Sequence, residues 1–386
     1  MGKWSVTTLS KVATIVGGST PKTSVDEYWN GEYNWVTPAE LNATTFVINE
    51  TERKITEKAI KDTSLKLLPI GTILLSSRAP IGKVAIAGVE MYCNQGFKNF
   101  ICSNKIYNKY LFWFLKGKTE FLNSLGRGAT FKEISKTIVE KIQIPLPPLK
   151  TQKQIAKTLD TTAELLTMRK QQLSELNNLI KSNFYYMFGN PVTNEKEWEI
   201  ISLGGLLEDI KYGTSTPPVF SDIGYSFIRA TNIKLGRIID SGMKYISENE
   251  AAKINKCKLQ GGELIIVRSG VNTGDTCVIA ERYVGQYAGY DLIIKPNQKL
   301  LNSIYLNELI NTNYMVDVVK PLTRRAAQPH LNAEQTKNLP IILPPFSLQT
   351  QFASIVTKIE EQKALVKKAI DETQVLFDSL MSEYFK

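Results

Sequence analysis

Three short runs carry residue types that could do chemistry. Gly117-Lys118-Thr119 resembles the close of a phosphate-binding loop, but that loop needs a glycine five residues before Gly117, where Phe112 stands. A helix end is the reading that remains. Leu343-Pro344-Pro345-Phe346 has the outline of the Asn/Asp-Pro-Pro-aromatic run of amino-methyltransferases, whose Asn or Asp accepts a hydrogen bond from the target amino group. Leu343 cannot accept one, nor can Leu146 in Leu146-Pro147-Pro148-Leu149, so both runs read as joints between a globule and a helix. Glu52-Arg53-Lys54 has the spacing of the last carboxylate and lysine of a metal-dependent nuclease. The upstream Pro-Asp is missing, with only Pro38 and Glu40 nearby, and exposed charge is the better reading.

The single histidine, His330, makes a Ser-His-Asp or Cys-His centre and a His-rich metal site improbable. It follows Arg324-Arg325-Ala326-Ala327-Gln328-Pro329 and reads either as a satisfied structural residue or as a phosphate or base contact. Cys93, Cys102, Cys257 and Cys277 form no CxxC pair, so no zinc ribbon or redox motif is indicated. They read as buried thiols of a reducing compartment. No apolar run is long enough to span a membrane, and the N-terminus lacks a signal-peptide core. A soluble, cytoplasmic protein is expected.

The remaining polar and basic clusters suit nucleic-acid contact. Ser76-Ser77-Arg78-Ala79-Pro80, with Lys83 beyond it, follows a β-rich run, and Arg268-Ser269-Gly270-Val271-Asn272 answers it. Arg78 and Arg268 read either as exposed base contacts, an arginine fork suiting guanine O6 and N7, or as salt-bridged loop arginines. Gly126-Arg127-Gly128-Ala129-Thr130-Phe131-Lys132 lies opposite the run Arg324 to His330. Arg229-Ala230-Thr231-Asn232 and Asn94-Gln95-Gly96-Phe97-Lys98 complete the set. The candidate DNA contacts are thus Ser77, Arg78, Lys83, Asn94, Lys98, Arg127, Thr130 and Lys132, then Arg229, Asn232, Arg268, Ser269, Asn272, Arg324, Arg325, Gln328 and His330.

These clusters recur because the chain is written twice. Trp4 opens WSVTTLSKVATIVGGSTP and Trp198 opens WEIISLGGLLEDIKYGTSTP; GTILLSSRAPIGKVAIAG is answered by GELIIVRSGVNTGDTCVIA, and IPLPPLKTQKQIAKTLD by IILPPFSLQTQFASIVTKIE. The period of about 190 residues is too long for a solenoid and marks a duplicated domain. Each unit opens with a mixed α+β globule. After each Pro-Pro, apolar residues such as Ala156, Leu159, Ala163, Leu166 and Leu173 recur at helical spacing for about 40 residues. Such a helix is ~60 Å long and needs a partner. Antiparallel packing on its own repeat relates the units by a pseudo-two-fold axis; packing on other subunits is the alternative. The expected divisions are 1–148, 149–189, 190–345 and 346–386. Apolar residues outside a narrow seam, Ile155 beside Ala156 and Leu365 beside Val366, suggest burial against further subunits.

The 386 residues carry a net charge of +10, which points to a polyanionic partner or only to solubility. The excess is uneven: net +7 over residues 1–148 against +1 over 190–345. The second globule must therefore concentrate positive charge locally if it binds a polyanion.

Two globules, each closing with Pro-Pro-Leu/Phe-x-x-Gln into a long helix, resemble the specificity subunit of type I restriction–modification systems. SSRAPIGKVAIAG, GATFKEISKTIVEKIQIPLPPLKTQKQIAKTLD and LPPFSLQTQFASIVTKI carry the resemblance, which covers essentially the whole chain. The second globule departs from it at Arg325-Ala326-Ala327-Gln328, where the first has Gly128-Ala129-Thr130-Phe131. The resemblance implies a non-catalytic subunit whose globules each read one half of a bipartite double-stranded DNA site. It implies that the paired helices set the spacer and dock methyltransferase subunits, two in number, and that restriction/translocase subunits complete the complex. S-adenosylmethionine would serve the methyltransferase and ATP with Mg the translocase, with no cofactor on this chain. The alternatives are a self-contained Mg-dependent nuclease using Glu52 and Lys54, and a helical scaffold without a DNA role.

Overall fold

The computed structural model describes residues 4–42, 45–78, 80–127, 132–323 and 329–385. It is an α+β chain of two compact units, residues 1–170 with 369–386, and residues 171–368.

Unit one is built on strands β1 (Ala13–Gly17), β2 (Val47–Ile48), β3 (Ile73–Leu75), β4 (Val84–Ala87) and β5 (Lys98–Cys102), in the order β1-β5-β3-β4-β2. Neighbours are antiparallel except β4 and β2. β3 and β4 are buried throughout, which is why their sequences are unbroken apolar runs. Helix α1 (Asn108–Lys116) covers them, its residues Tyr110 to Leu115 all buried. The 40-residue helix α2 (Leu149–Phe188) follows the first Pro-Pro.

Unit two repeats the plan. β6 (Leu207–Tyr212), β7 (Leu264–Ile266), β8 (Thr276–Val278) and β9 (Leu292–Pro296) run in the order β6-β9-β7-β8, all antiparallel. This matches β1-β5-β3-β4 strand for strand. α3 (Ser303–Ile310) stands where α1 does, and the 40-residue α4 (Phe346–Phe385) follows the second Pro-Pro.

Both units tie their ends together at the helix joint. Val6–Thr8 pairs antiparallel with Gln143–Pro145, and Glu199–Ser202 with Pro340–Leu343. The Tyr110 hydroxyl donates to the Pro145 carbonyl and the Tyr305 hydroxyl to that of Ile342, each at 2.8 Å. α2 ends at Gly189, whose φ of +75° a side chain would resist. Its last carbonyls are satisfied by Lys196, whose Nζ donates to Tyr186 and Met187, and by Trp198, whose Nε1 donates to Phe188 at 2.9 Å.

The helices pair within each unit. In unit one Arg169 donates to the Ala369 carbonyl and the Thr373 hydroxyl. Trp113 hydrogen-bonds Asp160 at 2.8 Å and meets Phe377 edge-on. Position thus falls in one helix as it rises in the other, so the segments are antiparallel. In unit two Phe184 and Phe188 pack edge-on to Phe352, while Asn177 and Lys181 share a cavity with Lys363, again antiparallel. One expectation is corrected. Ile155 is not surplus, because it is buried with Ala156 and Leu159 in unit one's own core. Leu365 is 69% exposed.

Candidate nucleic-acid interface

In unit one the chain leaves β3 through Ser76 and Ser77, both fully buried. The Ser76 hydroxyl donates to the Pro80 carbonyl at 2.8 Å and accepts from the Lys83 amide at 2.9 Å, closing a turn. The Ser77 hydroxyl donates to the Gly96 carbonyl at 3.1 Å and accepts from Lys98 Nζ at 3.3 Å. Ser77 is therefore a strut rather than a DNA contact, because burial and two hydrogen bonds occupy its hydroxyl. Arg78 emerges into solvent, its Nε donating to Glu133 Oε2 at 2.9 Å, and Lys98 Nζ donates to Glu133 Oε1 at 3.1 Å. Burial pushes the Glu133 carboxyl up, but Lys98 and Arg78 together outweigh it and hold it below its ordinary range. Arg127 and Lys132 are exposed alongside, Arg127 exchanging backbone hydrogen bonds with Glu133 at 3.0 and 2.9 Å. Lys83 and Asn94 hold loops: Lys83 Nζ donates to the Pro38 carbonyl at 3.0 Å, and Asn94 Oδ1 accepts from the Gly96 amide at 2.9 Å.

Unit two uses the same backbone with different chemistry. Leu331 N donates to the Arg268 carbonyl at 2.8 Å, as Ile134 N does to Ser77 at 2.9 Å. Arg268 thus stands where Ser77 does, Ser269 where Arg78 does, and His330 where Glu133 does. The two arginines are one residue out of register, so their side chains leave the strand in opposite senses. The Arg268 guanidinium lies between the rings of Tyr212 at 4.7 Å and Tyr290 at 4.1 Å. Its Nη2 is 2.9 Å from His330 Nε2. Arginine has no acceptor, so His330 Nε2 is the acceptor of this contact. Arg268 Nε is buried without a hydrogen-bond partner among the described residues. The Arg268 amide donates to Oδ1 of buried Asp291 at 3.1 Å. Burial pushes the Asp291 carboxyl up to about 6, against the pull of Arg268.

The other unit-two candidates divide. Ser269 is half-buried and bridges to His330 through its backbone. Asn272 Nδ2 donates to the Ala230 carbonyl at 3.3 Å, and Arg229 Nη2 to that of Gly242 at 2.7 Å. Asn232 is a correction: it is fully buried, and its side chain caps the turn by accepting from Arg229 N and donating to Ile239 and Ser241. Thr130, Arg324, Arg325 and Gln328 lie outside the described residues.

Each site thus gathers at the end of the strand entering the unit's sheet centre. Unit one offers a carboxylate-braced pair of cations, and unit two a π-clamped guanidinium with an imidazole acceptor. Such groups suit base edges and phosphates. Glu133, Tyr212, Tyr290 and Asp291 were missed in the sequence. Only Glu133 carried a signal, following Lys132 in the glycine-rich run.

The remaining runs fall into structural places. Gly117 caps α1. The Arg53 guanidinium sits 3.8 Å over the Trp29 ring, Lys54 pairs with Glu50 at 3.4 Å, and the Glu52 amide donates to Glu40. Among the described residues no group of His, Cys, Asp and Glu could hold a metal ion, and no helix is long and apolar enough to cross a membrane. The cysteines are free, and burial pushes the Cys93 and Cys277 thiols up to about 12.

The family described as "Type I restriction modification DNA specificity domain" matches residues 1–178 and again 195–374. The chain belongs to this family. As a specificity-domain protein it is 30% identical to the type I restriction enzyme MjaIX specificity subunit of Methanocaldococcus jannaschii, covering 98% of this chain and 91% of that one. It is 23% identical to the EcoKI specificity subunit of Escherichia coli strain K12, over 99% and 88%. The fold matches the crystal structure of the S subunit of a type I restriction–modification system from M. genitalium with a TM-score of 0.59, at 16% identity, over 100% of this chain and 96% of that one.

Proposed function

We propose that this specificity-domain chain reads duplex DNA for a type I restriction–modification complex and performs no catalysis itself. Each unit reads one half of a bipartite, asymmetric site. The helices set the unread spacer and dock two methyltransferase subunits, which bring S-adenosylmethionine. A restriction/translocase subunit working with ATP and Mg completes the complex in the cytoplasm. What carries this reading is the double family match, once over each globule, with reader ends that share a backbone and differ in side chains. Unlike readers imply unlike half-sites. The test is methylome sequencing of a host expressing the chain with its methyltransferase. A bipartite site is expected, and exchanging residues 1–146 for those of a relative changes one half alone. Both halves changing together, or Mg-dependent cleavage by the chain alone, would overturn the reading.

A further inference from the structure

The turn after Arg268 displays a valine to water. Val271 is 99% exposed, so it packs on nothing among the described residues. The turn carrying it is held firmly. Gly270 has φ +94°. The Thr273 hydroxyl donates to the Gly270 carbonyl at 2.6 Å and to that of Pro329 at 3.2 Å. The Asn272 side chain reaches the Ala230 carbonyl, and Gly274 N donates to the Val267 carbonyl at 2.8 Å. At Gly274 a Cβ would lie 2.8 Å from Met315 Sδ and 2.9 Å from Val319 Cγ1, so the base of the turn sits tightly on the unit. The matching turn of unit one has exposed Pro80 followed by Ile81, which is 3% exposed and part of the core. Among the described residues of the two matching turns, only that of the second unit holds a branched apolar side chain in solvent, three residues from a π-clamped arginine.

Resting on the DNA-reading function proposed above, we infer that Val271 is a specificity-determining residue that recognises the 5-methyl group of a thymine in the second unit's half-site. The major groove presents one apolar feature, the thymine methyl, beside the hydrogen-bonding edges. An arginine that reads a guanine edge there brings its neighbours into that same groove. An apolar wedge between base steps would instead need minor-groove entry. The fixed turn lowers the ordering cost of the contact.

The experiment uses the full chain. Its target is recovered by selection from random duplexes, and each thymine is then replaced singly by deoxyuridine, which removes only the methyl. The wild type is expected to bind about threefold to tenfold more weakly at one thymine of one half-site, as for the loss of a buried methyl-sized contact. Val271→Ala, at a side chain with no packing role, should bind thymine and deoxyuridine there equally. The inference is overturned if selective binding persists and every deoxyuridine is tolerated, if the penalty survives in Val271→Ala, or if that half-site contains no thymine. A chain that selects no duplex at all would overturn the DNA-reading function and this inference together.

Discussion

Gln152 and Gln349 perform the same task in the two units. Gln152 Nε2 donates to the carbonyls of Pro147 at 2.8 Å and Lys105 at 3.1 Å, while its Oε1 accepts from Tyr107 N at 2.8 Å. Gln349 Nε2 donates to Pro344 at 2.9 Å and Leu300 at 3.1 Å, and its Oε1 accepts from Asn302 N at 2.9 Å. Both side chains are fully buried. An amide alone supplies two donors and an acceptor in one plane, so the Pro-Pro-x-x-x-Gln spacing locks the helix's first turn to the loop preceding α1 or α3.

Gln152→Leu should cost about 2–4 kcal/mol, because two carbonyls and one amide lose their buried partner. Urea unfolding reads this as a lower midpoint with an unchanged slope. A loss under ~1 kcal/mol would mean that water re-satisfies those groups.

Arg78→Ala should impair one half-site and Arg268→Ala the other, each by ~1–3 kcal/mol, if the contacts are to base edges. Arg268→Lys should fail nearly as badly, since lysine keeps the charge but loses the fork and the stacking between Tyr212 and Tyr290. Binding measured on cognate and scrambled duplexes across salt decides. A uniform loss on all DNA with a shallower salt slope marks a phosphate contact instead.

Asp291 sets a pH dependence. Its folded-state pKa, about 6, lies above the ordinary 3.8, so it favours the folded state fully below about pH 4, and that contribution is lost as pH rises through about 6. The difference is on the order of 3 kcal/mol. Urea unfolding at pH 4.5 and 7.5 should show the wild type losing stability on alkalinisation relative to Asp291→Asn. Parallel pH profiles would show the carboxylate to be solvated. Glu133, held below its ordinary range, acts in the opposite sense and loses its contribution on acidification.

The duplication, the two helices and the joints were legible because they are local: Pro-Pro starts a helix, a 3.6-residue stripe continues it, and Gly189 stops it. The common strand order was not legible, because it depends on pairings such as Ile73 with Phe100, far apart in sequence. The candidate loops could be picked out, but their register could not. Arg78 and Arg268 look equivalent as letters, and only the hydrogen bonds of Ser77 and Arg268 to the returning strand show the one-residue offset. Ser77 and Asn232 were misread because a small polar residue that braces a loop has the same composition as one that touches a base. Ile155 was misread because it is buried in a core that joins the globule to the helices.

Leu365→Glu should weaken assembly with methyltransferase subunits while leaving the chain folded. Leu365 is 69% exposed on α4, so a charge at this position leaves the core of the chain intact. Co-purification and thermal melting of the variant test this. Wild-type assembly would remove Leu365 from the docking surface.

The spacer prediction follows from where the units divide. The division falls after Lys170 in α2 and after Lys368 in α4, so residues inserted at both points lengthen the two helices without entering either unit. Four residues in each add ~6 Å and turn the helix slightly more than once. At ~3.4 Å per base pair, the preferred unread spacer should grow by about one to two base pairs, with each globule still facing its groove. Two residues in each turn the helices by roughly 200° and should abolish methylation at any spacer. Matching insertions matter, because the segments run antiparallel within each unit and a single insertion would leave one helix without its partner. Methylome profiles of the variants give the answer. An active four-residue variant that keeps the original spacer would show that something other than these helices sets the distance.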